Sequence, residues 1–74
     1  MEKALREIVA KIAETKNDFA TDAVLRDDIG VDSVRGLELI FEIEQTFSVK
    51  VPESRYGEVR TFADLVTLVT SLKG

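Results

Sequence analysis

The chain has 74 residues, 45% of them apolar, 32% charged and 7% aromatic, and its fourteen acids against ten bases give a net charge of −4. One small domain spanning residues 1–74 follows, because the length is too short for two cores and the composition too apolar for a disordered acidic tail. There is no Cys and no His, which excludes disulfides, thiolate nucleophiles, Cys-ligated zinc and both Ser-His-Asp and Cys-His catalysis.

The acidic balance, with a pI near 4.7, lacks the basic stripe that phosphate binding needs, so nucleic acid is not an expected partner. An anionic lipid surface would repel the chain, and no stable membrane association is expected. The N-terminal stretch Met1-Glu2-Lys3-Ala4-Leu5-Arg6-Glu7 has no apolar core of signal-peptide length. The reading is a cytoplasmic monomer whose partners carry basic patches.

In chain order, Leu5, Ile8, Val9 and Ile12 recur at helical spacing and form the buried face of a first helix over about residues 2–15. Lys16 to Val31 shows no long periodic element. Phe19, Val24, Leu25 and Ile29 are spaced as in a loop, and a loop this long in so small a domain must dock on the core. One short turn is expected near Asp22–Leu25, and Gly30 supplies a positive-φ turn.

Asp32 is a good N-cap for a second helix running to Phe47. Leu39, Ile40, Ile43 and Phe47 share its core side, with Gly36 and Leu37 on or beside it. Val34 and Phe41 fall on the polar side, flanking Glu38, with Glu42 and Gln45 on the same side. Val49-Lys50-Val51 alternates like a strand but has no partner strand, so the strand is rejected. Pro52 and Glu53 open a short helix that Gly57 ends. Thr61 with Asp64 forms a capping box, and Phe62, Leu65, Val66, Val69 and Leu72 make the last helix. The sum is an all-α fold: a small three-to-four-helix bundle with a long loop between the first two helices.

Charge is concentrated. Residues 27–53 hold seven acids and two bases, net −5, and the remainder holds seven acids and eight bases, net +1. Acids on a helix are usually a solvated face. Val34 and Phe41 among them instead suggest a docking strip, with an apolar centre and steering charge around it.

The stretch Asp28-Ile29-Gly30-Val31-Asp32-Ser33-Val34, followed by Leu37-Glu38-Leu39, resembles the signature of acyl carrier proteins, in which an Asp-Ser-Leu-type tripeptide opens the second helix. The likeness extends over nearly the whole chain, through the long first loop, Phe47, Val51-Pro52-Glu53 and a last helix after Thr61. It implies that Ser33, beside Asp32, carries 4′-phosphopantetheine, attached by a phosphopantetheinyl transferase from coenzyme A. The chemistry agrees, since the first turn of a helix offers unpaired N–H groups and a positive dipole end to a phosphodiester. The plainer use of Ser33 is as a second capping hydroxyl. The lack of Cys also fits, because the thiol would come from the arm.

The implied role is a carrier, not an enzyme: acyl groups ride as thioesters and are presented to synthase and acyltransferase enzymes of fatty acid, lipid or polyketide-type biosynthesis. Leu37, Ile40, Ile43, Val59, Phe62 and Leu65 are the expected acyl lining, with Gly36 leaving room for close approach. Val34, Arg35, Glu38, Phe41, Glu42, Glu44, Gln45 and Glu53 are the expected docking residues. Val34 stands where the family usually has Leu, Arg35, Gln45 and Gly57 where acids are common, and Arg55 and Arg60 add positive charge around the third helix. These departures point to a specialised carrier with a dedicated synthase or acyltransferase.

The alternatives are a peptidyl or aryl carrier of a non-ribosomal synthetase, whose motif is usually of Gly-Gly-x-Ser type, and an unmodified helical adaptor using Val34 and Phe41 as anchors. No metal site is read. An EF-hand loop needs acids at its first, third and fifth positions, and counting back from Gly30 gives Leu25, Asp27 and Ile29, while Gly36 gives Val31, Ser33 and Arg35.

Overall fold

The computed structural model describes all residues 1–74. Four α-helices follow in order, α1 (Glu2–Ala13), α2 (Ser33–Phe47), α3 (Glu53–Tyr56) and α4 (Phe62–Lys73), with one wide turn at Leu25–Ile29 in the long first loop. No β-strand forms, and Val24 meets Thr61 in a single isolated bridge.

Leu5, Val9 and Ile12 of α1, Leu39 and Ile43 of α2, and Phe62, Leu65, Leu68 and Val69 of α4 are buried in one cluster, joined by Leu25, Ile29 and Val31 of the loop and by Val51. Apolar residues three and four apart on each helix are thereby removed from water together, which is what makes helices this short stable.

The loop docks as its composition required, but its turn lies later than Asp22–Leu25. Ile29 N–H bonds to Val24 C=O at 3.1 Å and Gly30 N–H to Leu25 C=O at 2.9 Å, both five residues apart. The wider ring lets Leu25 and Ile29 both face inward, and Gly30 closes it at φ 99°, where a side chain would be strained. Leu25 N–H donates to Arg60 C=O at 2.8 Å and Phe62 N–H to Ala23 C=O at 3.0 Å, so the loop is laced to the start of α4. Arg6 adds a clasp: its guanidinium donates to the carbonyls of Asn17 and Phe19. It also lies 4.7 and 4.9 Å from the ring centres of Phe19 and Phe62.

The first helix stops at Ala13, two residues short of the expected end, because Glu14 turns left-handed at φ 55°. Pro52 lies just outside α3 as its N-cap and not inside its first turn. Thr61 and Asp64 form a complete capping box, with each side chain accepting from the other's backbone N–H at 3.1 Å.

Candidate functional site

Ser33 is the first residue of α2 and is exposed. Asp32 supplies the cap, its Oδ1 accepting from Arg35 N–H at 2.9 Å. Ser33 is therefore not needed as a second cap, and its hydroxyl makes no hydrogen bond within the chain. The backbone N–H groups of Ser33 and Val34 also have no partner in the chain. A free hydroxyl, two unpaired amides and the positive end of a fifteen-residue helix converge at one point, and together they favour an attached anion.

Beside Ser33 opens a cleft of about 650 Å³, to which Arg26, Asp32, Gly36, Tyr56, Val59 and Arg60 contribute. Gly36 is buried beneath Tyr56, whose hydroxyl would lie 3.2 Å from any Cβ placed there. The room expected at Gly36 beside an acyl lining is taken by Tyr56, which the sequence did not indicate. Burial pushes the Tyr56 phenol above its ordinary 10.0, so the ring stays neutral with a proton to donate.

A model of the phosphopantetheine attachment site matches residues 3–69, nearly the whole chain. The chain belongs to this family, the acyl carrier proteins. A solved chain from Mycobacterium tuberculosis, described as an acyl carrier protein, shares the carrier's fold with a TM-score of 0.89. The two are 28% identical, and the match covers 95% of each. The prosthetic group of such a carrier is covalent 4′-phosphopantetheine, and the donors gathered at the start of α2 fit its phosphodiester.

The expected acyl lining needs correction. Leu37 is 64% exposed and points away from the core, beside Val34 at 68% and Phe41 at 61%. With Glu38 and Glu42, Leu37 and Phe41 shape a shallow surface groove. At about 3.6 residues per turn, 37 lies one turn from both 34 and 41, so it belongs to their stripe. Ile43, Phe62 and Leu65 are wholly buried in the packed core, and Ile40 packs against it, half-buried. Of the six expected residues, only Val59 reaches the cleft beside Ser33.

The docking set also divides. Val34, Glu38, Phe41, Gln45 and Glu53 are exposed. Arg35 instead turns back to the end of α1, where it donates to Ala13 C=O at 3.0 Å and pairs with Glu14 at 3.1 Å. Glu44 accepts from Val51 N–H at 2.8 Å and holds the chain entering α3. Glu42 lies 3.5 Å from Lys11 of α1. Arg35 and Glu44 are thus structural. Their partners lie 21 and 7 residues away in sequence, beyond the reach of a helix-face argument.

No helix is long and apolar enough to cross a membrane.

Proposed function

We propose that Ser33 is the residue to which 4′-phosphopantetheine is attached, and that residues 1–74 act as one carrier domain presenting acyl thioesters to partner enzymes. The observation that carries this reading is the division of labour at the start of α2. Asp32 caps the helix and leaves the Ser33 hydroxyl free and exposed beside two unpaired amides. The arm supplies the thiol that holds the acyl group, so the protein's own part is to tether, orient and present.

The exposed stripe of Val34, Leu37 and Phe41, bordered by Glu38 and Gln45, supports docking to synthases and acyltransferases that bear basic patches. The apolar centre gives contact and the acids speed encounter in a salt-sensitive way. Val34 in place of a longer leucine, and Arg35 withdrawn to α1, support a specialised carrier; a cytoplasmic monomer is the setting proposed for it.

Intact-mass spectrometry after incubation with coenzyme A and a phosphopantetheinyl transferase tests the reading. The wild type gains the mass of one arm, and Ser33→Ala gains none while keeping its far-UV circular dichroism. A folded wild type that gains no mass with several transferases overturns it in favour of an unmodified adaptor.

A further inference from the structure

The cleft beside Ser33 reaches down to the core, and one aromatic ring stands in its path. Leu25 and Val31 line the cleft and belong to the buried cluster. On α2 its wall is Gly36, which is buried and has no side chain. Ile40 and Ile43 follow on the same face, one and two turns further from Ser33, and both meet the core.

Tyr56 of α3 takes the space that Gly36 leaves. A Cβ at Gly36 would lie 3.2 Å from the Tyr56 hydroxyl and 3.5 Å from its Cε2. The way from Ser33 between α2 and α3 towards Ile40 and Ile43 therefore runs through the place of this ring.

Packing alone holds the ring there. The hydrogen bonds that brace this part of the chain, Val51 N–H to Glu44 at 2.8 Å and Arg55 to the Ser71 hydroxyl at 3.3 Å, both bypass it. The short helix α3 contributes no buried residue. Rotating the half-buried Tyr56 side chain outwards thus breaks no side-chain hydrogen bond and removes no member of the buried core. It forfeits only the ring's own apolar contact.

We propose that Tyr56 is a specificity-determining residue, which the alkyl end of a thioester cargo must displace to pass between α2 and α3 and reach Ile40 and Ile43. The inference rests on attachment at Ser33. The flexible arm brings cargo to this passage by folding back along the cleft. Displacing the ring has a fixed cost, whereas each methylene of the cargo adds its own burial. Short cargo accordingly stays outside, and cargo beyond a threshold length exchanges places with the ring.

Tyr56 is the single tyrosine of the chain, so 3-fluorotyrosine marks this ring alone. Even-numbered cargoes from acetyl to dodecanoyl are loaded with a promiscuous transferase and the matching acyl-coenzyme A, and loading is verified by intact mass. With acetyl, the ¹⁹F resonance and its solvent isotope shift should match those of the protein carrying an empty arm. Above the threshold, the isotope shift should rise towards that of free 3-fluorotyrosine as the Ile40 and Ile43 methyl resonances move. In Tyr56→Ala the shortest cargo that moves those methyls should be about two methylenes shorter. Tyr56→Leu, which keeps apolar bulk for folding, should lie between, and Tyr56→Phe, which keeps the ring, restores the wild-type length.

Folded Tyr56→Ala and Tyr56→Leu with the wild-type threshold overturn the proposal and leave the carrier reading intact. So does a long cargo that moves the Ile methyls while the fluorine stays shielded, since the chain then enters elsewhere. Tyr56→Phe behaving as Tyr56→Ala assigns the effect to the hydroxyl and overturns it too, as does a series in which no cargo moves those methyls in any variant. Failure to load at all is seen separately in the mass spectrum and sinks the attachment reading together with this one.

Discussion

At the scale of single residues, Asp32, Ser33 and Arg35 show how three neighbours at a helix start take different tasks. Asp32 satisfies the amide of Arg35, and Asp32→Ala should cost about 1 kcal/mol in urea unfolding while leaving Ser33 chemically unchanged. Arg35 is a brace between α1 and α2. It satisfies a helix-terminal carbonyl that would otherwise depend on water. Arg35→Ala is expected to lower stability by about 1 kcal/mol. Arg35→Asp loses the same contacts but places an acid in the first turn of α2, where the helix dipole offsets part of the loss. A double-mutant cycle with Glu14→Ala separates the two contacts. Because Glu14 is exposed, its coupling to Arg35 should be below about 1 kcal/mol, with most of the loss coming from the carbonyl bond. If Arg35→Ala unfolds at the wild-type midpoint, the brace has no energetic role.

At the scale of elements, α4 is the best-specified helix because its start is closed twice. Its capping box is joined by a second donor, the N–H of Arg60. These backbone bonds from Thr61 and Arg60 hold the Asp64 carboxyl below its ordinary 3.8. A folded-state value below the unfolded one means that the contribution of Asp64 is fully present above the unfolded pKa. It is lost as pH falls through the folded one. The Asp64 side-chain carboxyl should accordingly titrate by NMR below 3.8, and Asp64→Asn should flatten the acid limb of the stability–pH curve. An Asp64 midpoint at or above 3.8 would contradict the geometry.

Elements set by local rules were legible in the sequence: all four helices, the Asp32 cap, the Gly30 turn and this box. The wide turn at Leu25–Ile29 was not. Its five-residue bonds follow from seating Leu25 and Ile29 on a core built by α1, α2 and α4, which no window of local sequence contains. Tyr56 over Gly36 and Arg26 beside Arg60 were hidden for the same reason, since each pair meets only when the loop or α3 folds back on its neighbour.

At the scale of the molecule, a body of 26 × 22 × 19 Å must keep a packed interior and still present apolar surface to other proteins. The two demands meet on α2, where leucines two positions apart face opposite ways. Leu39 is wholly buried, while Leu37 is 64% exposed in line with Val34 and Phe41. A chain of this size has a total stability on the order of 4–11 kcal/mol. Leu39→Ala, which leaves a cavity among packed neighbours, should therefore remove about 2–5 kcal/mol and unfold a large share of the protein at physiological temperature. Leu37→Ala gives up only surface already in contact with water, and should shift stability by less than about 0.5 kcal/mol. Its cost should appear in recognition: kcat/KM for the transferase or a cognate synthase falls, and Phe41→Ala lowers it further, because both side chains shape one groove. Urea unfolding paired with loading kinetics separates these outcomes. Were Leu37→Ala to destabilise the protein as Leu39→Ala does, Leu37 would be an inward residue after all, and the original expectation that it lines an acyl pocket would regain its footing.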